Sequence, residues 1–207
     1  NSGTLYFVAT NDKYGVELWK SDGSETGTVI VRDANTGTHH SDPSNFISVG
    51  SMVYFSANDN VNGHELWRTD GTNAGTILVK DIWSGPNGSS PSNFVAIGET
   101  IYFTADTASQ GRELWKTDGT STGTVLVKDI NTSSSSWPES LHVLGRSLYF
   151  TAATSSAGRE LWKSDGTSSG TMMVKDINSG SSESQILTDL VVMHGLLYLS
   201  ATNGTYG

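Results

Sequence analysis

The stretch Glu65-Leu66-Trp67-Arg68-Thr69-Asp70-Gly71 decides the fold, because the chain carries four versions of it. The others are Glu17-Leu18-Trp19-Lys20-Ser21-Asp22-Gly23, Glu113-Leu114-Trp115-Lys116-Thr117-Asp118-Gly119 and Glu160-Leu161-Trp162-Lys163-Ser164-Asp165-Gly166. Their tryptophans stand 48, 48 and 47 residues apart. Tyr6, Tyr54, Tyr102, Tyr149 and Tyr198 keep the same beat, with steps of 48, 48, 47 and 49. Self-similarity at a fixed period of this length marks a repeat architecture, in which each unit buries its apolar face against its neighbours.

Each repeat reads as four short strands, and the second serves as the model. Strand A runs from Phe46 to Val49, strand B from Met52 to Ala57, strand C from Glu65 to Thr69 and strand D from Thr76 to Ile82. Val, Ile, Tyr, Phe, Trp and Thr fill these runs, and Gly, Asn, Asp or Pro separate them. Strands B and D are apolar on both faces, as a sheet covered on both sides by other sheets requires. The expectation is an all-β, β-propeller-like array of about four four-stranded antiparallel blades; the coils of a β-solenoid are shorter. The repeats span approximately 1–45 (lacking strand A), 46–93, 94–140 and 141–185, with a partial repeat at 186–207, all in one array.

Folding the C–D hairpin about its Asp-Gly loop so that Thr69 faces Thr76 sets Glu65 opposite Lys80. The same register pairs Glu17 with Arg32, Glu113 with Lys128 and Glu160 with Lys175. Opposite charges facing across strands contribute roughly 0.2–1 kcal/mol each, so the glutamates are expected to be structural and not catalytic acids. Trp19, Trp67, Trp115 and Trp162 are expected in the core, where burying each one contributes roughly 2–3 kcal/mol.

Glu-Leu-Trp-x-x-Asp-Gly-Thr followed by Gly-Thr-x-x-Val-Lys-Asp-Ile resembles the repeat of the ELWxxDGT proteins, a family of bacterial tandem-repeat proteins, over nearly the whole chain. The first copy departs from the pattern at Ser24 and at Arg32-Asp33-Ala34. The resemblance implies a large secreted or surface-attached repeat protein, and it carries no catalytic residue.

Composition narrows the function further. With 21 acidic against 12 basic residues and a net charge of −9, the surface repels a phosphate backbone, and no nucleic-acid partner is expected. There is no cysteine, which removes disulfides, thiolate metal sites and thiol nucleophiles. No apolar run approaches the ~20 residues that cross a bilayer, so no membrane insertion is expected. The chain starts at Asn1 with no leader pattern, which reads as a mature product or a fragment. A secreted, extracellular or cell-surface location is the expectation.

In a meandering blade the B–C and D–A loops share one end, and here they differ in every copy, whereas the A–B and C–D turns at the other end repeat. Recognition is usually built on such unlike loops. The candidate ligand-binding residues at this end are Trp83, Trp137, His39 and His40, with His64 nearby, where an aromatic ring could stack on a sugar or anchor a protein. The candidate glycosylation sites are Asn87, Asn131 and Asn203, each in an Asn-x-Ser/Thr sequon. Thr36 to Thr38 and Ser133 to Ser136 are candidates for O-linked glycans. The loop from Asn58 to Gly63 faintly resembles a calcium loop but has Thr69 where the bidentate Glu belongs. No metal site, cofactor, phosphate loop or catalytic set is expected.

These readings favour a structural repeat protein of an extracellular or cell-surface assembly. The alternative is a carbohydrate- or protein-binding adhesion module, and an enzyme with its site at the propeller mouth ranks last. The first strand, Thr4 to Ala9, is a B strand without its A strand, and the chain ends with an A strand, about Ile186 to Met193, and a B strand, Leu196 to Ala201. An unpaired apolar strand is a sticky edge. Self-association through the terminal strands, head to tail as a filament, is therefore the expected partnership, with glycans as a second one.

Overall fold

The computed structural model describes residues 3–180 and 190–203. Its described residues form strands, turns and loops, with no helix. The first sheet has three strands, β1 (Leu5–Asn11), β2 (Gly15–Ser21) and β3 (Val29–Arg32). The second has four: β4 (Ser44–Val49), β5 (Met52–Asn58), β6 (His64–Thr69) and β7 (Ile77–Lys80). The third is β8 (Ser92–Ile97), β9 (Thr100–Thr107), β10 (Gly111–Thr117) and β11 (Val125–Lys128). The fourth is β12 (Glu139–Leu144), β13 (Ser147–Thr154), β14 (Gly158–Ser164) and β15 (Met172–Lys175). Finally β16 (Val191–Met193) pairs with β17 (Leu196–Tyr198) in a sheet of two. Every pairing is antiparallel between sequence neighbours, so each sheet is a meander. The fold is all-β and β-propeller-like. Of the terminal segment read as strand A, residues 186–189 lie outside the described residues.

The chain divides into two compact units, Asn1–Ser92 with Gly119–Ser121, and Asn93–Asp118 with Thr122–Gly207. In the first, Leu18 and Val31 of the first sheet pack with Phe55, Ala57 and Trp67 of the second, and Tyr6 and Leu78 close the cluster. In the second, Tyr102, Leu114 and Val127 pack with Leu148, Phe150, Ala152 and Trp162. Within each unit, one sheet therefore presents Tyr, Leu and Val, and the sheet facing it answers with Phe, Ala and Trp. Trp67, Trp115 and Trp162 are buried, whereas Trp19 is half-buried.

The hairpin register departs from the sequence reading in one place, four times over. Arg68 faces Ile77 and Trp67 faces Leu78, but Leu66 then faces Lys80. The same slip sets Leu18 opposite Arg32, Leu114 opposite Lys128 and Leu161 opposite Lys175. Each strand D thus carries one residue too many, Val31, Val79, Val127 or Val174, as a β-bulge. The expected cross-strand pairs Glu17–Arg32, Glu65–Lys80, Glu113–Lys128 and Glu160–Lys175 do not form. The extra valine turns Arg32 and Lys128 away from the glutamates, toward the next sheet of their own unit: Arg32 Nη1 donates to Thr76 O at 2.5 Å and Lys128 Nζ to Thr171 O at 2.8 Å.

Candidate functional site

The glutamates released from those pairs are fully buried and bind backbone instead. Glu17, Glu65, Glu113 and Glu160 are each 0 % exposed. Glu113 Oε2 accepts from Ile130 N at 3.1 Å and from Ser136 Oγ at 2.5 Å, and its Oε1 accepts from Ser136 N at 2.7 Å. Glu65 accepts from Trp83 N at 3.0 Å, Ser89 N at 2.8 Å and Ser89 Oγ at 2.6 Å. Glu17 accepts from Ala34 N and Asn35 N, both at 3.2 Å, and from Ser41 Oγ at 2.6 Å. Glu160 accepts from Ile177 N at 3.0 Å. A carboxylate offers about four acceptor sites, and in Glu17, Glu65 and Glu113 they gather both ends of the D–A loop onto strand C. The loop is also pinned by Ser90 N to His64 O at 2.9 Å and by Trp137 N to Arg112 O at 3.2 Å.

Ser41, Ser89 and Ser136 were missed as partners, yet a signal was present. Each begins a Ser-x-Pro triplet 23 or 24 residues after its glutamate. The middle residue of each triplet, Asp42, Ser90 or Trp137, has a positive φ, between 44° and 48°. Such a backbone costs a non-glycine residue of order 1 kcal/mol or more and persists only where its surroundings hold it. The Ser–Glu bond supplies that hold.

Burial lifts the carboxyls of Glu17, Glu65 and Glu113 above the usual carboxylate range, against the lowering effect of their serine and backbone hydrogen bonds. A raised folded pKa means that the folded chain binds these protons more tightly than the unfolded one. Stability from this source is greatest in acid, and it falls as pH rises from the ordinary value, about 4.3, through the raised one. The hairpin aspartates run the other way. Asp22, Asp70 and Asp165 are held below their usual range by hydrogen bonds from Ser24, Thr72 and Thr167. Their contribution is present above the ordinary value and lost as pH falls. Urea midpoints measured across pH are expected to peak at about pH 4–5 and to decline toward neutrality. The decline should be shallower in Glu113→Gln, which has no proton to lose.

The residues singled out for recognition have different environments. Trp137 is 51 % exposed with a φ of 47°, and its carbonyl accepts from Arg159 Nη1 at 2.8 Å. Trp83 is half-buried and takes the place in its repeat that Asn35 and Asn131 take in theirs. His39 and His40 are exposed. His40 Nδ1 accepts from Val16 N at 3.0 Å, and His39 Nδ1 lies 3.1 Å from Thr36 O. Asn87 and Asn203 are exposed.

Asn131 corrects the reading of it as a glycan acceptor. It is 8 % exposed, its Nδ2 donates to Ser134 Oγ at 2.9 Å, and its Oδ1 accepts from Ser133 and Ser155. A side chain so enclosed offers no nitrogen for attachment in the folded chain. In the loop from Asn58 to Gly63, Asp59 Oδ1 accepts from Val61 N and Asn62 N, and Asn58 Oδ1 from Asn60 N. These oxygens shape the loop itself.

A scan against models of known families finds no match, and a search of the curated proteins finds none. Among solved structures, the chain is similar to puromycin hydrolase, with a TM-score of 0.52 at 16 % identity, over 96 % of this chain and 31 % of that one. It is also similar to the computationally designed protein Ika8, with a TM-score of 0.49 at 14 % identity, over 97 % of this chain and 54 % of that one. The chain thus spans about a third of the first and about half of the second. At such identities the likeness to puromycin hydrolase is one of fold alone.

Proposed function

We propose that the chain is a structural repeat protein of an extracellular or cell-surface assembly. One observation carries this reading: the glutamates and the hairpin aspartates that define the repeat are engaged in its own scaffold. The glutamates hold the D–A loops, the hairpin aspartates cap their own turns, with Asp70 Oδ1 accepting from Thr72 N at 2.8 Å and Thr72 Oγ1 at 2.7 Å, and Lys20 Nζ donates to Gly71 O at 2.8 Å. The motif therefore repeats because it builds blades and joins them. The resemblance to the ELWxxDGT repeat supports the same reading. So does the apolar surface of the β16–β17 hairpin, where Val191, Met193, Leu196 and Tyr198 are exposed. Sizing and electron microscopy of the 207-residue chain test it. Ordered oligomers or filaments are expected, and a monomer at every concentration would overturn the reading.

Trp137 favours a second reading, a glycan- or protein-binding module. A large aromatic side chain held half in solvent by a strained backbone is a recognition element in waiting. A glycan array probed with the chain and with Trp137→Ala separates this reading from the first, because only a binding module loses signal with the indole.

A further inference from the structure

Within each unit one sheet grips the Asp-Gly hairpin of the next with a tyrosine, a lysine and a second basic side chain. In the first unit Lys20 Nζ donates to Gly71 O at 2.8 Å, Arg32 Nη1 to Thr76 O at 2.5 Å, and Tyr6 Oη abuts Gly71 too closely to admit a β-carbon there. In the second unit Lys116 Nζ donates to Gly166 O at 2.8 Å, Lys128 Nζ to Thr171 O at 2.8 Å, and Tyr102 Oη abuts Gly166 in the same way. Charge supports each grip, because Lys20 attracts the Asp70 carboxylate and Lys116 that of Asp165. The bulge explains how one strand D can do this: it brings a valine into the interface beside the basic residue.

The fourth sheet carries the same set, Tyr149, Lys163 and Lys175, with Val174 at the bulge. No hairpin covers it among the described residues. Val174 is 45 % exposed, whereas Val31, Val79 and Val127 are 3 %, 6 % and 4 % exposed. Lys163 and Lys175 meet no hairpin carbonyl among the described residues. The β16–β17 hairpin reaches the fourth sheet at β12, the opposite edge from β15. The first hairpin is the converse case. Gly23 and Thr28 are exposed, whereas Gly71, Gly119 and Gly166 are buried. Among the described residues nothing lies within 4 Å of the place a Gly23 β-carbon would take. Among the described residues, the first hairpin is thus ungripped, and the grip on β13–β15, of matching chemistry, is empty.

We propose that the outer face of β13–β15 is a docking site for the Asp22-Gly23 hairpin of a second copy of this chain. By equivalence with the two internal grips, Lys163 donates to Gly23 O and draws Asp22, Lys175 donates to Thr28 O, Tyr149 closes over Gly23, and Val174 is covered. The contact joins two different surfaces and so propagates head to tail without closing. It rests on the assembly reading above and names the residues through which assembly proceeds.

The test uses two variants of the full chain. Lys163→Glu with Lys175→Glu removes the grip and leaves the hairpin. Gly23→Asn blocks the hairpin with a side chain that tolerates a positive φ, at a position where the chain's own atoms leave room. By sedimentation velocity, the parent is expected to form concentration-dependent oligomers. Each variant alone should sediment as a monomer, with self-association weakened at least tenfold. An equimolar mixture should give a one-to-one dimer, since each variant supplies the surface the other lacks. Circular dichroism confirms that each remains a β-protein; if one fails to fold, the other alone against the parent still decides. Variants that assemble as the parent does would overturn this contact while leaving the assembly reading intact. A parent that stays monomeric at all concentrations would overturn both. A monomer in which a zero-length carbodiimide cross-link joins Asp22 to Lys163 of the same molecule would overturn the second-copy occupant in favour of closure within one chain.

Discussion

Replacing Glu113 with alanine is expected to destabilise the second unit by about 3 kcal/mol or more, a large effect for one exchange in a repeat array. The carboxylate collects three donors, Ile130 N, Ser136 N and Ser136 Oγ, and it is fully buried. Alanine leaves two backbone N–H groups and a hydroxyl without acceptors. Each stranded buried donor costs about 1–3 kcal/mol, and hydrogen bonds to a charged acceptor are the stronger kind. The loss also frees the loop that keeps Trp137 at its positive φ. Glu113→Gln separates the contributions. Its amide oxygen still accepts from Ser136 N, and its NH2 can donate to Ser136 Oγ after the hydroxyl turns, but that NH2 then faces Ile130 N–H, which loses its acceptor, so about 1–3 kcal/mol of loss is expected. Hydrogen exchange read by mass spectrometry checks both values, because Ile130 and Ser136 are reporters at the two ends of the loop. Equal exchange in Glu113→Ala and the parent would show that the loop is held by something else.

Strand count, meander order and the hairpin ends were legible in the sequence because turn chemistry and repeated aromatics mark them independently of packing. The register held from Thr69 as far as Trp67 opposite Leu78 and failed one residue later. The reason is physical: strand D is apolar on both faces, so inserting Val79 disturbs no alternation that a sequence could display. Once the bulge is missed, Glu65 and Lys80 fall opposite each other and look like an ion pair. The true partners of Glu65 are backbone N–H groups, which have no letter in a sequence. Only the Ser-x-Pro triplet hinted at them. Asn131 shows the same limit, since a sequon gives no account of whether its amide is already enclosed. Trp137, by contrast, was separated from the core tryptophans by its place off the repeat beat, and its exposure follows from that place.

The four repeat tryptophans offer a sharper experiment, because one motif sits in two environments. Trp67 packs with Leu18, Val31, Phe55 and Ala57, and the Arg32 guanidinium lies 5.7 Å from its ring centroid. Trp67→Ala is expected to cost about 3–5 kcal/mol, the range for removing a large buried aromatic whose cavity only partly collapses. Trp19 stands in the same motif but is half-buried, since it lies in the first sheet, which no sheet precedes among the described residues. Trp19→Ala is therefore expected to cost about 1 kcal/mol, in proportion to the smaller apolar area it keeps from water. None of the four indole N–H groups has an acceptor among the described residues, so it is the ring's volume, and not a hydrogen bond, that the repeat requires. Trp67→Phe should then lose only about 1–2 kcal/mol, from the missing ring atoms and the weaker attraction to Arg32. Urea denaturation followed by circular dichroism gives all three values. Equal losses for Trp19→Ala and Trp67→Ala would mean that each blade holds its tryptophan alone, and the stacking of sheet on sheet would not be the source of the fold's stability.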